Sequence, residues 1–340
     1  MRLGVVGAGF VAQVVHLPCL ADERARFAVA ALAEPDEAVR RAVARRHGIP
    51  AAFARHEEML AGTSLDAVLI CSPDATHAEV VLDALASGVH VLVEKPLCLT
   101  VADADRIVAE RNAAGVVVQV GYMKRFDPAY EALVADLRTA GDELVHLARL
   151  TYDPGMAEHF GHVAGSGRTA EPEGADRRLE GFVGALVHDV NAVHGILDAL
   201  GVDVSGAAVV DGFGRRNGSL AGGTVALAGG LRWSMAWIRL PQAGTFAERI
   251  ELFGSEGVRA LAFPAPYLRH APTTYSWTSG GSGASRVRTF RSWRESYARQ
   301  LEHFHDCVLG SVPCRTPPEQ ARADVALLRE LHDATLAVPA

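Results

Sequence analysis

The sequence predicts an α/β protein of two domains: a doubly wound parallel sheet, then an α+β domain with an open, mostly antiparallel mixed sheet. Its 340 residues exceed the length of one average domain. Strand and helix patterns alternate over residues 1–122, which is typical of parallel strands joined by helical crossovers. Over residues 123–340 strand patterns follow one another, which favours antiparallel pairing. We therefore place the domain boundary after residue 122.

The first domain opens with an apolar strand that ends at Gly7. Buried-type strand patterns follow at 27–33, 65–71, 89–93 and 116–122. Helical patterns lie between them at 36–47, 75–87 and 100–112. This alternation predicts a parallel sheet that carries helices on its faces.

The second domain begins with Asp127-Pro128, a helix N-cap followed by proline at the first helical position. Further patterns predict a strand at 143–152, a helix at 184–200 and strands at 206–213, 223–228, 231–239, 246–253 and 258–263. Consecutive strands predict a sheet with one face under helices and the other free for a subunit partner.

Two segments are expected to be loops, 153–180 and 279–285, because they are rich in glycine and polar residues. Capping boxes at 292–295 and 316–319 predict two terminal helices. We expect the second of them, 316–337, to pack back on the first domain.

Composition excludes several classes of protein. A net charge of −7 and a pI near 6.1 argue against nucleic acid as a partner. No apolar run has the length of a membrane span, and the chain enters its first strand directly, so neither a membrane segment nor a signal peptide is expected. Five scattered cysteines favour a reduced, cytoplasmic protein.

The first strand runs into the motif Gly7-x-Gly9-x-x-Ala12, which is typical of a dinucleotide-binding turn. Gly7 allows the tight turn, and Gly9 lets the backbone approach a pyrophosphate. Ala12 allows close packing of the helix on its strand. We expect this turn, including Phe10 and Val11, to bind the cofactor.

Glu34 follows the second strand, where an acidic residue accepts hydrogen bonds from an adenosine ribose and repels a 2′-phosphate. The position favours NAD over NADP, although Arg40 and Arg41 one turn later keep NADP open. The structural alternative is a solvated acid at the start of a helix.

Ligands of an open parallel sheet lie at the carboxyl ends of the strands. The expected cofactor contacts there are Cys71, Ser72, Pro73, His77, Glu94 and Lys95. Lys95 beside a nicotinamide could also bond a substrate hydroxyl. The alternative is a surface Lys–Glu pair at a strand end.

Several motifs, taken in order along nearly the whole chain, resemble those of the glucose–fructose oxidoreductase / inositol dehydrogenase / MocA family. They are Gly7-x-Gly9-x-x-Ala12, His16-Leu17-Pro18, Ser72-Pro73-x-x-x-His77, Val91-Leu92-Val93-Glu94-Lys95-Pro96-Leu97, Gly121-Tyr122-Met123-Lys124-Arg125-Phe126-Asp127-Pro128 and Phe253-Gly254-Ser255-Glu256-Gly257. The Glu-Lys-Pro segment is the most specific of them.

The resemblance implies a Rossmann domain and a mixed-sheet domain whose sheet face often forms the dimer, so a homodimer or homotetramer is expected. It implies NAD or NADP, and hydride transfer at a secondary alcohol or ketone of a sugar, amino sugar or cyclitol. Lys95 would contact the reacting hydroxyl, and the Lys95–Pro96 bond would be cis. Tyr122, Lys124 and Arg125 would contact the substrate; the alternatives are packing for Tyr122 and solvent exposure for the other two.

The resemblance also implies that His188 is the catalytic histidine. The family usually has an Asp four residues before it and an acid three residues after it, where this chain has Gly184 and Asn191. This departure indicates a divergent subgroup, or a proton relay through Asp189 or a residue of the 153–180 loop. Helical spacing puts His188 and Asn191 together, off the apolar stripe that runs from Val190 to Leu200, so both are expected to face a substrate cleft. The alternative is a structural histidine.

No metal site is predicted. His303 and Cys307 are one helical turn apart but lack a third ligand on that face, and Cys98 suits a small buried role.

The favoured function is a nicotinamide-dependent oxidoreductase in which His188 is the general base and Lys95 stabilises the developing alkoxide. Three alternatives stay open: transient oxidation with retained NAD, imine or ketone reduction, and non-catalytic nucleotide binding.

Overall fold

The computed structural model describes residues 1–141, 143–155, 177–204, 206–215, 219–281 and 283–336, and their side chains except at 177–182 and 185. Among these residues two compact units separate after Tyr122. The first unit comprises 1–122 and 297–325, and the second comprises 123–155, 177–296 and 326–336. No helix of the described ranges is long and apolar enough to span a bilayer.

The first unit is built on a six-stranded parallel sheet of order β3-β2-β1-β4-β5-β6. Its strands are β1 (Arg2–Val6), β2 (Ala28–Ala33), β3 (Ala51–Phe53), β4 (Ala67–Ile70), β5 (His90–Val93) and β6 (Val118–Val120). The predicted doubly wound sheet is confirmed. Strand β3 was not predicted, because three residues are too short to show a period.

Helices alternate with these strands. They are α1 (Leu17–Asp22, after a π-helical turn at Ala12–His16), α2 (Glu37–His47), α3 (His56–Gly62), α4 (His77–Ala86) and α5 (Val101–Ala114). Side chains cap two of them: Asp36 accepts from the amides of Ala38 and Val39, and Thr100 accepts from the amide of Asp103. Gly115, with φ of +65°, ends α5.

The second unit contains an eight-stranded sheet of order β14-β13-β12-β11-β7-β10-β9-β8. The strands are β7 (Leu144–Asp153), β8 (Ala208–Gly214), β9 (Leu220–Ala226), β10 (Arg232–Arg239), β11 (Ala247–Gly254), β12 (Gly257–Phe263), β13 (Thr274–Gly281) and β14 (Ala284–Arg291). Only the β7–β10 pair is parallel among these strands, which confirms the mostly antiparallel mixed sheet.

Four more helices complete the described chain: α6 (Pro128–Thr139), α7 (Arg177–Ala199), α8 (Ser296–Val308) and α9 (Pro318–Leu336). Helices α6 and α7 pack on the second sheet. Asp127 caps α6 as predicted, since its carboxylate accepts from the amide of Ala129. Leu301 and Phe304 of α8 are fully buried in the core of the first unit.

Several sequence expectations were wrong. Of the expected loop 279–285, residues 279–281 end β13 and 284–285 begin β14, whereas residue 282 lies outside the described residues. Both strands escaped prediction because polar and arginine residues dominate them and every residue of β14 is exposed. Of the expected loop 153–180, residue 153 ends β7 and 177–180 begin α7, whereas 156–176 lie outside the described residues.

Neither terminal capping box forms. Helix α8 begins at Ser296, because the Glu295 carboxylate is taken by Arg269 and by the amide of His270. Helix α9 begins at Pro318, and the Thr316 hydroxyl donates to the Val120 carbonyl at 2.8 Å. At the start of α8 the tertiary hydrogen bonds of Glu295 therefore outcompete the local cap.

Two glycines of α7 should respond oppositely to alanine. A Cβ at Gly184 meets no atom within 4 Å, so Gly184→Ala should stabilise the protein by about 0.5–1 kcal/mol through helix propensity. A Cβ at Gly195 would lie only 2.5 Å from the Tyr130 hydroxyl and closer still to Arg125, so Gly195→Ala should destabilise it by about 1–3 kcal/mol. Urea unfolding of both variants measures this, and equal effects would contradict the packing described.

Candidate active site

The turn after β1 is fixed by two neighbouring strands. Gly7 has φ of +87°, and its amide donates to the Ala33 carbonyl at the end of β2. A Cβ at Gly7 would lie 2.6 Å from the Cys71 carbonyl oxygen just after β4, so only glycine fits there. Gly9 is exposed, and a Cβ there would meet no atom within 4 Å. The turn is thus closed at Gly7 and open at Gly9, as a backbone cradle for a pyrophosphate requires.

The helical entry after the turn is tightly packed. Ala12 is fully buried, and Phe10 and Val11 are partly exposed. The first turn after Ala12 is π-helical rather than α-helical. Ala12 thus lies in the interior at the helix entry, and its role in close helix–strand packing stays a prediction.

Glu34 is bound to the turn rather than solvated. One carboxylate oxygen accepts from the amide of Ala8 at 2.8 Å, and the other accepts from the amide of Asp36 at 3.0 Å. The side chain is buried, so the alternative of a solvated helix-start acid is wrong. Arg40 donates from Nη1 to the carbonyls of Glu34 and Pro35, so its guanidinium lies against the backbone beside the acid.

His77 joins the turns that follow β4 and β5. Its Nδ1 lies 2.6 Å from the Pro96 carbonyl oxygen, and its Nε2 lies 2.9 Å from the Ser72 carbonyl oxygen. The ring is 1 % exposed. We expected His77 to contact the cofactor; its ring nitrogens instead bind the protein's own backbone, so it positions Ser72 and Pro96. Cys71 and Ser72 are partly exposed at this edge, and Pro73 is exposed.

Glu94 and Lys95 have different surroundings. The Glu94 carboxylate is buried and lies 2.6 Å from Nε2 of the fully buried His16. Burial opposes ionisation of Glu94, but the hydrogen bond and charge of His16, with the charge of Lys95, outweigh it and lower the pKa of Glu94. Lys95 is partly exposed, and the Lys95–Pro96 bond is cis, as the resemblance implied.

In the second unit, α7 carries the other predicted catalytic residue. His188 is partly exposed, whereas Asp189 and Asn191 are buried. The Arg125 side chain donates two hydrogen bonds to Asn191. Its Nη1 lies 3.5 Å from the side-chain amide oxygen and 3.3 Å from the backbone carbonyl oxygen of Asn191. The prediction that His188 and Asn191 both face a cleft was wrong for Asn191, because Arg125 occupies that side of the helix.

A buried cluster of four charges lies under α7. Lys124 forms ion pairs with Glu248 and with Asp189, the latter at 3.5 Å. Arg149 forms ion pairs with Asp189 and with Glu248, the latter at 3.1 Å. Two cations and two carboxylates cancel, which makes their burial tolerable. We name these four residues the charge cluster.

Burial changes how the predictions for Lys124, Arg125 and Tyr122 are understood, and it shifts the pKa values of the two carboxyl groups in the charge cluster. Burial raises the pKa of Asp189, partly offset by Arg149 and Lys124, whereas these two cations outweigh burial and lower the pKa of Glu248. Lys124 and Arg125 are each 7 % exposed, so the alternative of solvent exposure is wrong for both. Tyr122 is buried in the first unit, in line with the packing alternative.

Arg149 and Glu248 were missed by sequence reasoning. Each occupies a position of β7 or β11 that alternates with exposed positions and otherwise carries buried apolar residues, such as Leu147 and Ile250. The sequence signal that could have found them is a charged residue at a core-facing strand position. A buried charge needs a partner of opposite charge, so such a position predicts an ion pair.

Comparison with known proteins decides the family. The family model described as "Oxidoreductase family, NAD-binding Rossmann fold" matches residues 1–122. Inositol 2-dehydrogenase 1 of Saccharopolyspora erythraea is 30% identical, with 92% of this chain and 88% of that protein covered. The chain belongs to the Gfo/Idh/MocA family of oxidoreductases. The expected enzyme class and nicotinamide cofactor are thereby confirmed.

Other relatives agree with this assignment. The scyllo-inositol 2-dehydrogenase (NAD(+)) of Bacillus subtilis is 28% identical, over 81% of this chain and 77% of that protein. A crystal structure of a 3-ketoreductase from Actinomadura kijaniata, in complex with NADP and TDP-benzene, aligns with a TM-score of 0.79 at 19% identity, covering 98% of this chain and 97% of that one. That structural likeness concerns the fold alone.

Alanine at the two turn glycines of this Gfo/Idh/MocA protein separates folding from cofactor binding. Gly7→Ala should destabilise the protein by about 1–3 kcal/mol, because a side chain at φ of +87° is strained. Gly9→Ala should leave stability within about 0.5 kcal/mol yet raise the Kd for NAD at least about tenfold. Thermal unfolding and calorimetric titration with NAD measure both effects. Unchanged NAD affinity in Gly9→Ala would argue against the cradle.

Glu94→Gln should make stability less dependent on pH. The folded-state pKa of Glu94 lies below its ordinary 4.5, so its contribution is complete above pH 4.5 and is lost as pH falls through the folded value. At pH 7 the variant should be less stable by about 1–3 kcal/mol, and this difference should shrink below pH 4.5. Urea unfolding across pH measures it, with the exposed Glu37→Gln as control. A difference constant down to pH 3.5 would contradict the assignment.

Proposed function

We propose that the protein is an NAD-dependent dehydrogenase that transfers hydride between a secondary alcohol of a cyclitol, such as an inositol, and the nicotinamide. One observation carries the proposal. Within 91–98 Lys95 alone is not buried, and within 186–197 His188 alone is not buried. Each unit therefore presents a single proton-handling side chain from an otherwise buried stretch. The names of the relatives from Saccharopolyspora erythraea and Bacillus subtilis support inositol as the substrate class.

The two side chains have complementary chemistry. The Lys95 ammonium would donate a hydrogen bond to the reacting hydroxyl oxygen and stabilise the negative charge that develops on it. The His188 imidazole would accept the hydroxyl proton as general base. The chemistry supplied by a bound nicotinamide is hydride acceptance. In ketone reduction His188 would return the proton and Lys95 would polarise the carbonyl.

Two contacts favour NAD over NADP. The Glu34 carboxylate is held at the glycine turn by the amides of Ala8 and Asp36, where its charge opposes a 2′-phosphate. Arg40 is bound to the carbonyls of Glu34 and Pro35. The Glu34 carboxylate and the Arg40 guanidinium would both have to move before Arg40 could bind a 2′-phosphate.

We also propose that the protein acts in the cytoplasm as a homodimer or homotetramer. All five cysteines are free, which suits a reducing compartment. Leu150 on β7 is 43 % exposed, on the strand face opposite the buried Leu147 and Arg149. A second subunit over that face would bury it.

A substrate panel tests the reaction. Inositols, sugars and amino sugars are supplied with NAD and with NADP, and both the reduced cofactor and the product are measured. An inositol with NAD should give equal amounts of ketone and NADH. Product without net NADH would instead show transient oxidation with retained cofactor, and turnover of none of these substrates in either direction would overturn the proposal.

Variants test the residue roles. Lys95→Ala and His188→Ala should each lower kcat by about 10²–10⁴-fold, because each removes a group that acts on the transferred proton or charge. The Kd for NAD should change far less. His47→Ala, at the end of α2 and remote in sequence from both stretches, is the control and should keep full turnover. Near-normal kcat in both test variants would refute these roles.

A further inference from the structure

The end of α8 brings two thiols together. The helix closes with paired hydrogen bonds, from the Gly310 amide to the Cys307 carbonyl at 3.0 Å and from the Ser311 amide to the Asp306 carbonyl at 2.9 Å. Gly310 has φ of +72° and supplies the left-handed residue of this helix end. The chain thus reverses direction directly after Cys307. As a result the chain returns Cys314 to the side of Cys307, since the Cys307 sulfur and the amide of Arg315, next to Cys314, both lie against Nε2 of His303.

The returning segment is anchored beyond the reversal. The Arg315 amide donates to Nε2 of His303 at 3.1 Å, and Thr316 exchanges two hydrogen bonds with Val120 of β6. The same His303 nitrogen lies 3.3 Å from the sulfur of Cys307. The sulfur of Cys314 also donates to the Val118 carbonyl at 3.6 Å. Both thiols are therefore held in place from two sides of one short loop.

We propose that Cys307 and Cys314 are a redox-active thiol pair that hydrogen peroxide converts into an intramolecular disulfide. The proposal goes beyond the dehydrogenase function and does not depend on it. Cys307 itself is buried, but it lies beneath a loop whose residues 309–313 are all exposed, and Cys314 is partly exposed, so a small oxidant can reach the pair through this loop. Reversible disulfides of reduced compartments are commonly of this regulatory kind.

The reaction proceeds in two balanced steps. The Cys307 thiolate attacks peroxide, giving a sulfenic acid on Cys307 and hydroxide, which takes up the proton released from Cys307. The Cys314 sulfur then bonds to the Cys307 sulfur, and the sulfenic oxygen leaves with the Cys314 proton as water. Two thiols are oxidised, one peroxide is reduced to two waters, and a thiol reductant reverses the change.

Cys307 differs from other cysteines of the chain. Contact with Cys314 and with the nearby His303 outweighs burial and lowers the pKa of the Cys307 thiol, which favours the reactive thiolate. Burial raises the pKa of Cys98 to about 12 and raises that of Cys71 well above its ordinary value. Oxidation should therefore be selective for the Cys307–Cys314 pair.

The test maps thiols after oxidation of the full-length, fully reduced protein with a small excess of hydrogen peroxide. Free thiols are alkylated, and peptides are identified by mass spectrometry. Two of the five thiols should disappear, a peptide linking Cys307 to Cys314 should appear, and dithiothreitol should restore all five. If all thiols survive a dose that oxidises glutathione, or if the disulfide involves another cysteine, the proposal is overturned. The readout is independent of turnover.

Variants resolve the order of events. Cys314→Ser should stop oxidation at a Cys307 sulfenic acid that dimedone traps, and Cys307→Ser should leave Cys314 reduced. Cys98→Ser is the matched control and should form the disulfide like the unaltered protein. Circular dichroism checks the fold of each variant, and mapping in the unaltered protein decides the proposal even where a variant fails to fold. Dimedone labelling of Cys314 in place of Cys307 would overturn the assigned order.

Discussion

The approach of Gly7 to the ends of two other strands is the constraint on which the cofactor edge of the first unit depends. Its amide is bonded to the end of β2, and its missing side chain leaves room for the Cys71 carbonyl beyond β4. Because the three strand ends meet there, Ala8 can donate to Glu34. The acid proposed to select the cofactor is thus oriented by the same turn that is proposed to bind the phosphates.

The second unit handles charge differently. Its polar groups beneath α7 neutralise one another, with Lys124 and Arg149 against Asp189 and Glu248. Removing any one member would leave a net charge in a buried place, which is strongly destabilising. Such an arrangement holds the helix in a defined position while leaving His188 partly exposed. A rigid support of this kind is what the proposed acid–base role of His188 requires.

Much of the architecture could be predicted from local patterns, and the failures have physical causes. The parallel sheet was predictable because buried strands alternate with glycine-stopped helices, and the glycine motif located the turn. Strands β13 and β14 were missed because exposed polar residues show no apolar period. At the site, Lys95 and His188 could be predicted from sequence motifs. The burial of Asn191 and the roles of Arg149 and Glu248 could not, because they depend on contacts between distant segments, which no local pattern encodes.

The burial of Lys124 has a chemical consequence. The chain contains only two lysines, and Lys124 is held among carboxylates inside the second unit. Lys95 is therefore the one lysine side chain with access to solvent, and the remaining surface cations are arginines and histidines. Apart from the N-terminal amine, a reagent directed at primary amines would meet a single partner in the folded protein. An amine-reactive reagent would thus modify this chain selectively at the strand end that carries Lys95.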